Sequence, residues 1–538
     1  MIYVRITNEL KKFEADIRDL CMAFFPYQKF SFIYDEKVGA NRNVGASTAK
    51  FKNVGETHRE PEKCRGEYCE PDVIIDDYFS GNLSGERLTD KSEIKRQLYD
   101  YLSKKTGKKL LWGTLTGIRP VTIVTGLIEQ NKESNGNVGE NSANPKSVRA
   151  NYVSPCNDNE LSLYLKKEYY ISDVKANELI DIAKREIYIL NRDEIRDYKN
   201  KYSIYIGVPF CKSTCLYCSF TSFNVDKFGE YVDKYLAALD IELKKRSAEI
   251  DNKFKDKTFG SDNADKLSPL TIYIGGGTPT SLNEKQFERL LSIIDRQVDI
   301  KSCIEYTVEA GRPDTITKEK LSIMKEYGVN RISINPQTFN QKTLDLIGRK
   351  HKTEDVIDKF LLARSLGFNN INMDIILGLP NEHLLEVINT LFSVYKLKPD
   401  SLTIHSLALK RAARLNYELD SWIKESYLAG VADINKTEGH RIIDKMYALS
   451  NICTQFLGLK PYYLYRQKNM AGNRENIGYS KEGYECIYNI MMMSERHSVY
   501  GFGCATSKEV FYENDGKRVE NIEGYKSVVD YINYINNY

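Results

Sequence analysis

From Tyr202 onward, short runs rich in β-branched and aromatic residues alternate with amphipathic helical patterns, and this alternation constrains the fold more than any other feature of the chain. The strand runs fall at 202–208, 271–274, 304–308, 331–334, 371–376 and 401–405. Between them lie helical spacings such as Phe228, Tyr231, Tyr235, Leu239 and Leu243, or Phe287, Leu290, Leu291 and Ile294. Repeated strand–helix units imply parallel strands, since a parallel neighbour is reached only by a long, right-handed return across one face of the sheet. The expected fold class is α/β, a partial (β/α)6 TIM-like barrel whose site lies at the C-terminal strand ends.

The first of these strands runs into YIGVPFCKSTCLYCSFTSF, residues 205–223, which places Cys211, Cys215 and Cys218 on one loop at that end. Three thiolates can hold three irons of a [4Fe-4S] cube and leave the fourth iron open to a small molecule. Structural zinc sites instead use paired Cys-x2-Cys or Cys/His ligands that close all four positions. The cysteines at 21, 64, 69, 156, 303, 453, 486 and 504 show no second ligand spacing and read as free thiols; the Cys64 and Cys69 pair stands alone in an aperiodic loop over 52–71.

The remaining chain divides around this barrel. Residues 1–195 read as an N-terminal α/β domain. It opens with a strand over 1–7, a helix carrying Leu10, Phe13, Ile17, Leu20 and Phe24 inward, and a strand over 30–34. A helix over 91–104 follows, and then a turn with a buried Trp112 before Arg119. The stretch 131–154 is rich in Asn, Ser, Gly and Glu and is expected to be a disordered insertion, because it buries too little apolar surface to offset its ordering entropy. The barrel occupies 196–412, with a polar insertion at 250–266, and 413–538 reads as a mostly helical C-terminal domain.

At 538 residues the chain exceeds a single hydrophobic core, which agrees with several domains. Its 77 basic and 74 acidic side chains leave a net charge of +3, so no global field argues for nucleic acid. Charged residues occupy the N-terminal stretch where a signal peptide needs its apolar core, and no apolar run reaches the roughly 18 residues of a membrane span. A cytoplasmic protein is expected, in a compartment that keeps thiols reduced and available for a cluster.

Each barrel strand ends in residues suited to a charged ligand. The second runs into Gly275, Gly276, Gly277 and Thr278, where absent Cβ atoms allow close approach to backbone. The third ends at Glu309, the fourth is followed by Gln337 and Arg349, and the fifth carries Asp374. Carboxylates can take an ammonium or ribose hydroxyls, and an arginine can take a carboxylate. Gathered at strand ends, these residues read as one site.

The segments YIGVPFCKSTCLYCSF, YIGGGTPTSL, YTVEAGRPD, RISINPQTFNQKTLDLIGRKH, MDIILGLP and GFGCATSK together resemble the oxygen-independent coproporphyrinogen III dehydrogenase (oxidase) family of radical S-adenosylmethionine (SAM) proteins. TLTGIRP, TVEAGRPDT, LTIHSLALKR and PYYLYRQKNMAGN resemble its HemZ subgroup. The resemblance implies that Cys211, Cys215 and Cys218 hold a [4Fe-4S] cluster, that Tyr205 and Tyr217 flank cluster and SAM, and that Gly276, Gly277 and Thr278 contact the methionyl part of SAM. It further implies that Glu309, Gln337, Arg349 and Asp374 bind SAM. The implied reaction is oxidative decarboxylation of coproporphyrinogen III to protoporphyrinogen IX by a monomer supplied with electrons by a flavodoxin or ferredoxin. Arg466, Lys468 and Arg474 are the cations expected to meet the propionates, with Arg119 a weaker candidate. One departure stands out: Ser219 and Phe220 follow Cys218, where oxidative members carry a further cysteine. That departure keeps two alternatives open, a haem-binding or haem-trafficking protein and a ring-opening methyltransferase acting on haem.

Overall fold

The computed structural model of the chain describes residues 2–25, 30–35, 73–74, 90–117, 119–136, 157–218, 222–254, 268–408, 410, 413–415, 438–467, 470–513 and 516–537. The expected loop at 52–71, most of the insertions at 131–154 and 250–266, and residues Ser219, Phe220 and Lys468 lie outside these. The chain separates into two compact units, one of Met1–Thr116 with Leu163–Lys175 and one of Gly117–Ser162 with Ala176–Tyr538.

The first unit holds three parallel strands, β1 (Ile2–Thr7), β2 (Phe30–Asp35) and β3 (Val73–Ile74), in the order β2-β1-β3. Val4 and Ile6 share a core with Ile17, Leu20 and Phe24 of the helix Glu14–Phe24 and with Ile94, Leu98 and Leu102 of the helix Lys91–Thr106. The Asp90 carboxylate caps the latter helix by accepting from the Ser92 N–H at 3.0 Å. Trp112 is fully buried, with the Lys175 ammonium 5.6 Å from its ring centroid, which bears out the buried turn.

The second unit is built on six parallel strands that neighbour one another in chain order: β4 (Tyr202–Val208), β7 (Thr271–Gly276), β8 (Glu305–Glu309), β9 (Arg331–Ser333), β10 (Ile371–Leu377) and β11 (Ser401–Ser406). Between β4 and β7 lies a short parallel pair, β5 (Phe210–Cys211) and β6 (Phe223–Asn224). Helices cover the sheet as the apolar spacing requires; Glu284–Gln297, for example, buries Phe287, Leu290, Leu291, Ile293 and Ile294 and begins with a capping box of Asn283 and Gln286. Phe228 belongs to a separate short helix, Val225–Phe228, so the long helix Glu230–Phe254 turns Val232, Tyr235, Leu236, Leu239 and Leu243 inward.

Two expectations are corrected. Residues 131–136 finish the helix Val121–Gly136, so the insertion begins later than its composition suggests. Among its described residues the chain after 412 is not helix alone: beside the helices Glu438–Phe456, Ile487–Ser494 and Val528–Asn537 it carries strands that its sequence did not show. It contributes β12 (Lys460–Tyr465), β13 (Asn476–Ser480), β14 (Ser498–Gly503), β15 (Ser507–Glu513) and β16 (Gly516–Ile522), all in one eleven-stranded sheet of order β12-β13-β11-β10-β9-β8-β7-β4-β14-β15-β16. β13 pairs antiparallel with β11 and β14 parallel with β4, so both flanks of the six-stranded set are extended by C-terminal chain. β13 and β14 are buried along their whole length, and strands buried on both faces carry no alternation for a sequence reading to detect. Between them the helix Ile487–Ser494 is anchored by Glu305, whose carboxylate accepts from the Ile487 N–H at 2.6 Å, a negative charge at the positive end of a helix.

Candidate functional site

The cysteine loop is tied down from both sides. Thr278 N–H donates to Phe210 O at 2.7 Å and Gly277 N–H to Val208 O at 2.7 Å, joining it to the glycine run after β7. Leu216 N–H donates to Ile347 O at 2.9 Å and the Ser213 hydroxyl to Gly348 O at 3.1 Å, joining it to the turn that carries Arg349. Cys211, Cys215 and Cys218 consequently open onto one cavity of about 500 Å³. Cys211 Sγ lies 3.2 Å from Thr278 Oγ1, and Arg312 Nη1 lies 3.9 Å from Cys215 Sγ. Burial pushes the Cys211 thiol above its usual range, against the pull of Thr278 and Arg312. Among the described residues no three His, Cys, Asp or Glu side chains converge on a single-ion site.

The strand-end residues meet in the same cavity: Gly276, Gly277, Thr278, Glu309, Gln337, Arg349, Asp374 and Tyr217 all line it. Gly276 adopts φ +103°, and a Cβ on Gly277 would stand 2.4 Å from Phe210 O. The glycine run thus also serves the close approach of two backbone segments, a use additional to the ligand approach read in the sequence. Gln337 holds φ +65°, pinned by its N–H to Asp374 O and by its own carbonyl, which accepts from Ile376 N–H, both at 2.9 Å. Arg349, 4% exposed, donates to Tyr217 OH at 3.2 Å, to Asn335 O at 2.9 Å and to Gly311 O.

The two acids differ in charge state. Burial raises the Glu309 carboxyl to about 7, opposed by the hydrogen bond it accepts from Tyr273 OH at 2.7 Å and reinforced by nearby Asp374. Burial pushes Asp374 the same way, but His405 at 3.7 Å, Asn372 Nδ2 at 2.8 Å and Thr403 outweigh it and hold the carboxyl below its usual value. The folded state binds the Glu309 proton more tightly than the unfolded chain does, so the ligand-free protein loses stability as pH rises from about 4.5 to about 7. The loss is at most roughly 3 kcal/mol from this group. Glu309→Gln is expected to make the slope between pH 5 and 8 shallower in urea denaturation. It will not flatten it, because Glu186 and Glu382 are raised by burial to about 7 as well. An unchanged slope would remove Glu309 from this account.

Several polar atoms lining the cavity are buried without a hydrogen-bond partner: Ser333 Oγ, Asn335 Oδ1, Gln337 Oε1, Arg312 Nη2, Arg331 Nε and Arg349 Nε. Each such group costs about 1–3 kcal/mol if left unmet, so the cavity fits a polar ligand bearing both donors and acceptors. Tyr205 does not itself line the cavity. It stacks on Tyr273 and Tyr488, with centroids 5.9 Å away in each case, and so backs the tyrosine that holds Glu309.

The arginines expected to meet a substrate are not brought to the cavity. Tyr463, Tyr465 and Gln467 line it, and side chains along an extended chain alternate between faces, so Arg466 points the other way. Arg466 Nη2 donates to Asn473 Oδ1 at 2.7 Å, and burial lowers its guanidinium to about 10. Arg474 pairs with Asp444 at 3.3 Å over the Tyr447 ring, and Arg119 pairs with Glu495. The cavity's cations are instead Arg312, Arg331, Arg349 and Lys410, beside His405. Of those not picked out beforehand, Arg312 lay in EAGRPD, the third residue after Glu309 at a strand end, and His405 and Lys410 lay in LTIHSLALKR.

Residues 205–394 match the Radical SAM superfamily. The chain is 36% identical over 428 residues to the oxygen-independent coproporphyrinogen-III oxidase-like protein HemZ of Bacillus subtilis, a match covering 79% of this chain and 75% of that protein. It is 38% identical over 209 residues to the heme chaperone HemW of the same organism, covering 39% of this chain and about half, 51%, of that one. The oxygen-independent coproporphyrinogen III oxidase of Salmonella typhimurium is 30% identical over 206 residues, 38% of this chain and 42% of its own. Among solved structures, coproporphyrinogen III oxidase (HemN) from Escherichia coli aligns with a TM-score of 0.44 at 19% identity, covering 60% of this chain and 69% of that one.

Proposed function

Since the chain belongs to the coproporphyrinogen III oxidase-like family of radical SAM proteins, whose superfamily uses a [4Fe-4S] cluster and SAM, we propose that it oxidatively decarboxylates coproporphyrinogen III to protoporphyrinogen IX. The observation that carries this reading is the convergence of three thiols, Glu309, Asp374 and Arg349 on one cavity lined by unmet polar atoms. When bound, cluster and SAM supply the radical that takes a hydrogen atom from the β-carbon of a propionate. Loss of CO2 and of one electron to an acceptor then leaves a vinyl group, and two propionates are converted.

The chain's own residues bind, orient and exclude water. Cys211, Cys215 and Cys218 would ligate the cluster, with Tyr217 beside it and Arg349 held against Tyr217. Gly276, Gly277 and Thr278 would border the methionyl part of SAM, and Glu309, Gln337 and Asp374 its ammonium and hydroxyl groups. Tyr205 would act from behind, through Tyr273. Lys410 and Gln467 line the cavity and would serve the propionate role in place of Arg466 and Arg474, while Lys468 lies outside the described residues. A low-potential donor of the flavodoxin or ferredoxin class completes the scheme. No helix among the described residues is long and apolar enough to cross a membrane.

The likeness to HemW over 39% of the chain, with Ser219 and Phe220 after Cys218, favours a second reading, haem binding without oxidation. Anaerobic incubation of the reconstituted protein with SAM, reductant and coproporphyrinogen III separates them. Mass spectrometry should find vinyl products together with 5'-deoxyadenosine. Tight haem binding with no vinyl product would replace the first reading by the second.

A further inference from the structure

We propose that Arg312 sets the reduction potential of the cluster, acting on it through Cys215. The inference rests on the assignment of Cys211, Cys215 and Cys218 as cluster ligands. Arg312 is 3% exposed and stands three residues beyond Glu309, and its backbone is fixed by its own carbonyl, which accepts from Thr315 N–H at 3.0 Å and from the Thr315 hydroxyl at 2.7 Å. Pro313 begins the short 3-10 turn that follows. From this rigid base Nη1 donates to Ser213 O at 2.9 Å and reaches Cys215 Sγ at 3.9 Å. Nε faces Asp314 at 3.5 Å, and Nη2 is buried at the cavity wall without a partner.

The charge balance points the same way. Arg349 is a second buried guanidinium on this wall, and it donates to a phenol and two carbonyls. Among the described residues Asp314 is the carboxylate within ion-pairing range of Arg312, and it is shared with Lys212 at 3.8 Å. Negative charge is therefore in deficit around Cys215, and a buried cation is stable only when that deficit is met. A thiolate-ligated cluster meets it, and meets it better after gaining an electron. A cation fixed beside a ligand sulfur thus favours the reduced form, one of the levers by which proteins tune such clusters.

The test is an EPR-monitored redox titration of anaerobically reconstituted protein without SAM, comparing wild type, Arg312→Gln and Arg312→Lys at equal iron content. Charge-assisted hydrogen bonds of the usual strength correspond to one to two decades in the reduction equilibrium. Arg312→Gln, which keeps a donor and loses the charge, should therefore lower the potential by about 59 to 118 mV for one electron. Arg312→Lys should recover most of that shift. An unchanged potential in Arg312→Gln with its iron intact overturns the proposal. Loss of iron from both variants also overturns it, leaving Arg312 as a tie for the cysteine loop. Wild type without about four irons would sink the cluster assignment itself, a result distinct from either.

Discussion

Replacing Cys211, Cys215 and Cys218 together by alanine is expected to lower the iron bound after anaerobic reconstitution from about four per chain, the content of one [4Fe-4S] cube, to none. The effect should be complete, because each thiolate would hold a different iron and the three come from one loop. Cluster absorption and any reductive cleavage of SAM should disappear with the iron. Cys303→Ala and Cys504→Ala serve as controls. Neither thiol lines the cavity, so neither is placed to reach the cluster. Iron retained in the triple variant would remove the basis for every functional role assigned here.

The second large effect concerns SAM affinity. Asp374→Ala deletes a carboxylate that Asn372, His405 and Thr403 keep charged inside the cavity. Removing one partner of a buried charge-assisted contact costs about 2–5 kcal/mol, roughly thirtyfold to several thousandfold in Kd. Glu309→Ala should weaken binding too, with a distinctive pH dependence. The Glu309 carboxyl titrates at about 7, so its charge, and with it the penalty for losing it, should grow between pH 6 and pH 8. Anaerobic calorimetry measures both variants, and iron content should stay at the wild-type level. Unaltered SAM affinity in both would detach the strand-end acids from the cofactor.

The reach of the primary structure differed sharply between elements. Strands β4 and β7–β11 were legible because each is a short β-branched run between helical periods, and the loop after β4 was legible because cysteine spacing is itself a chemical statement. Glu309, Gln337, Arg349 and Asp374 were found by the same route, since a parallel sheet delivers its strand ends to one rim and they line one cavity. The glycine run, read for ligand approach, has a second use that only the structure shows. A sequence shows that Cβ atoms are absent, but not that a Cβ on Gly277 would collide with Phe210 O.

The primary structure therefore settles what is local or periodic: the order of the parallel strands, the cysteine loop and the rim that gathers acids, glycines and an arginine. Only the tertiary structure decided which side chains beyond residue 412 face the cavity, because β12 and β13 return to pair beside β11, and the parity along that returning chain turns Tyr463, Tyr465 and Gln467 inward and Arg466 away. It also decided the electrostatics. Glu309 and Asp374 are both carboxylates on parallel strands of one sheet, β8 and β10 with β9 between them, yet one is raised to about 7 and the other held below its usual value, since a charge state depends on burial and on partners as remote in the chain as His405 and Tyr273. Arg312 became visible for the same reason. Its significance lies in the 3.9 Å to Cys215, a distance between residues 97 apart in sequence that no local pattern encodes.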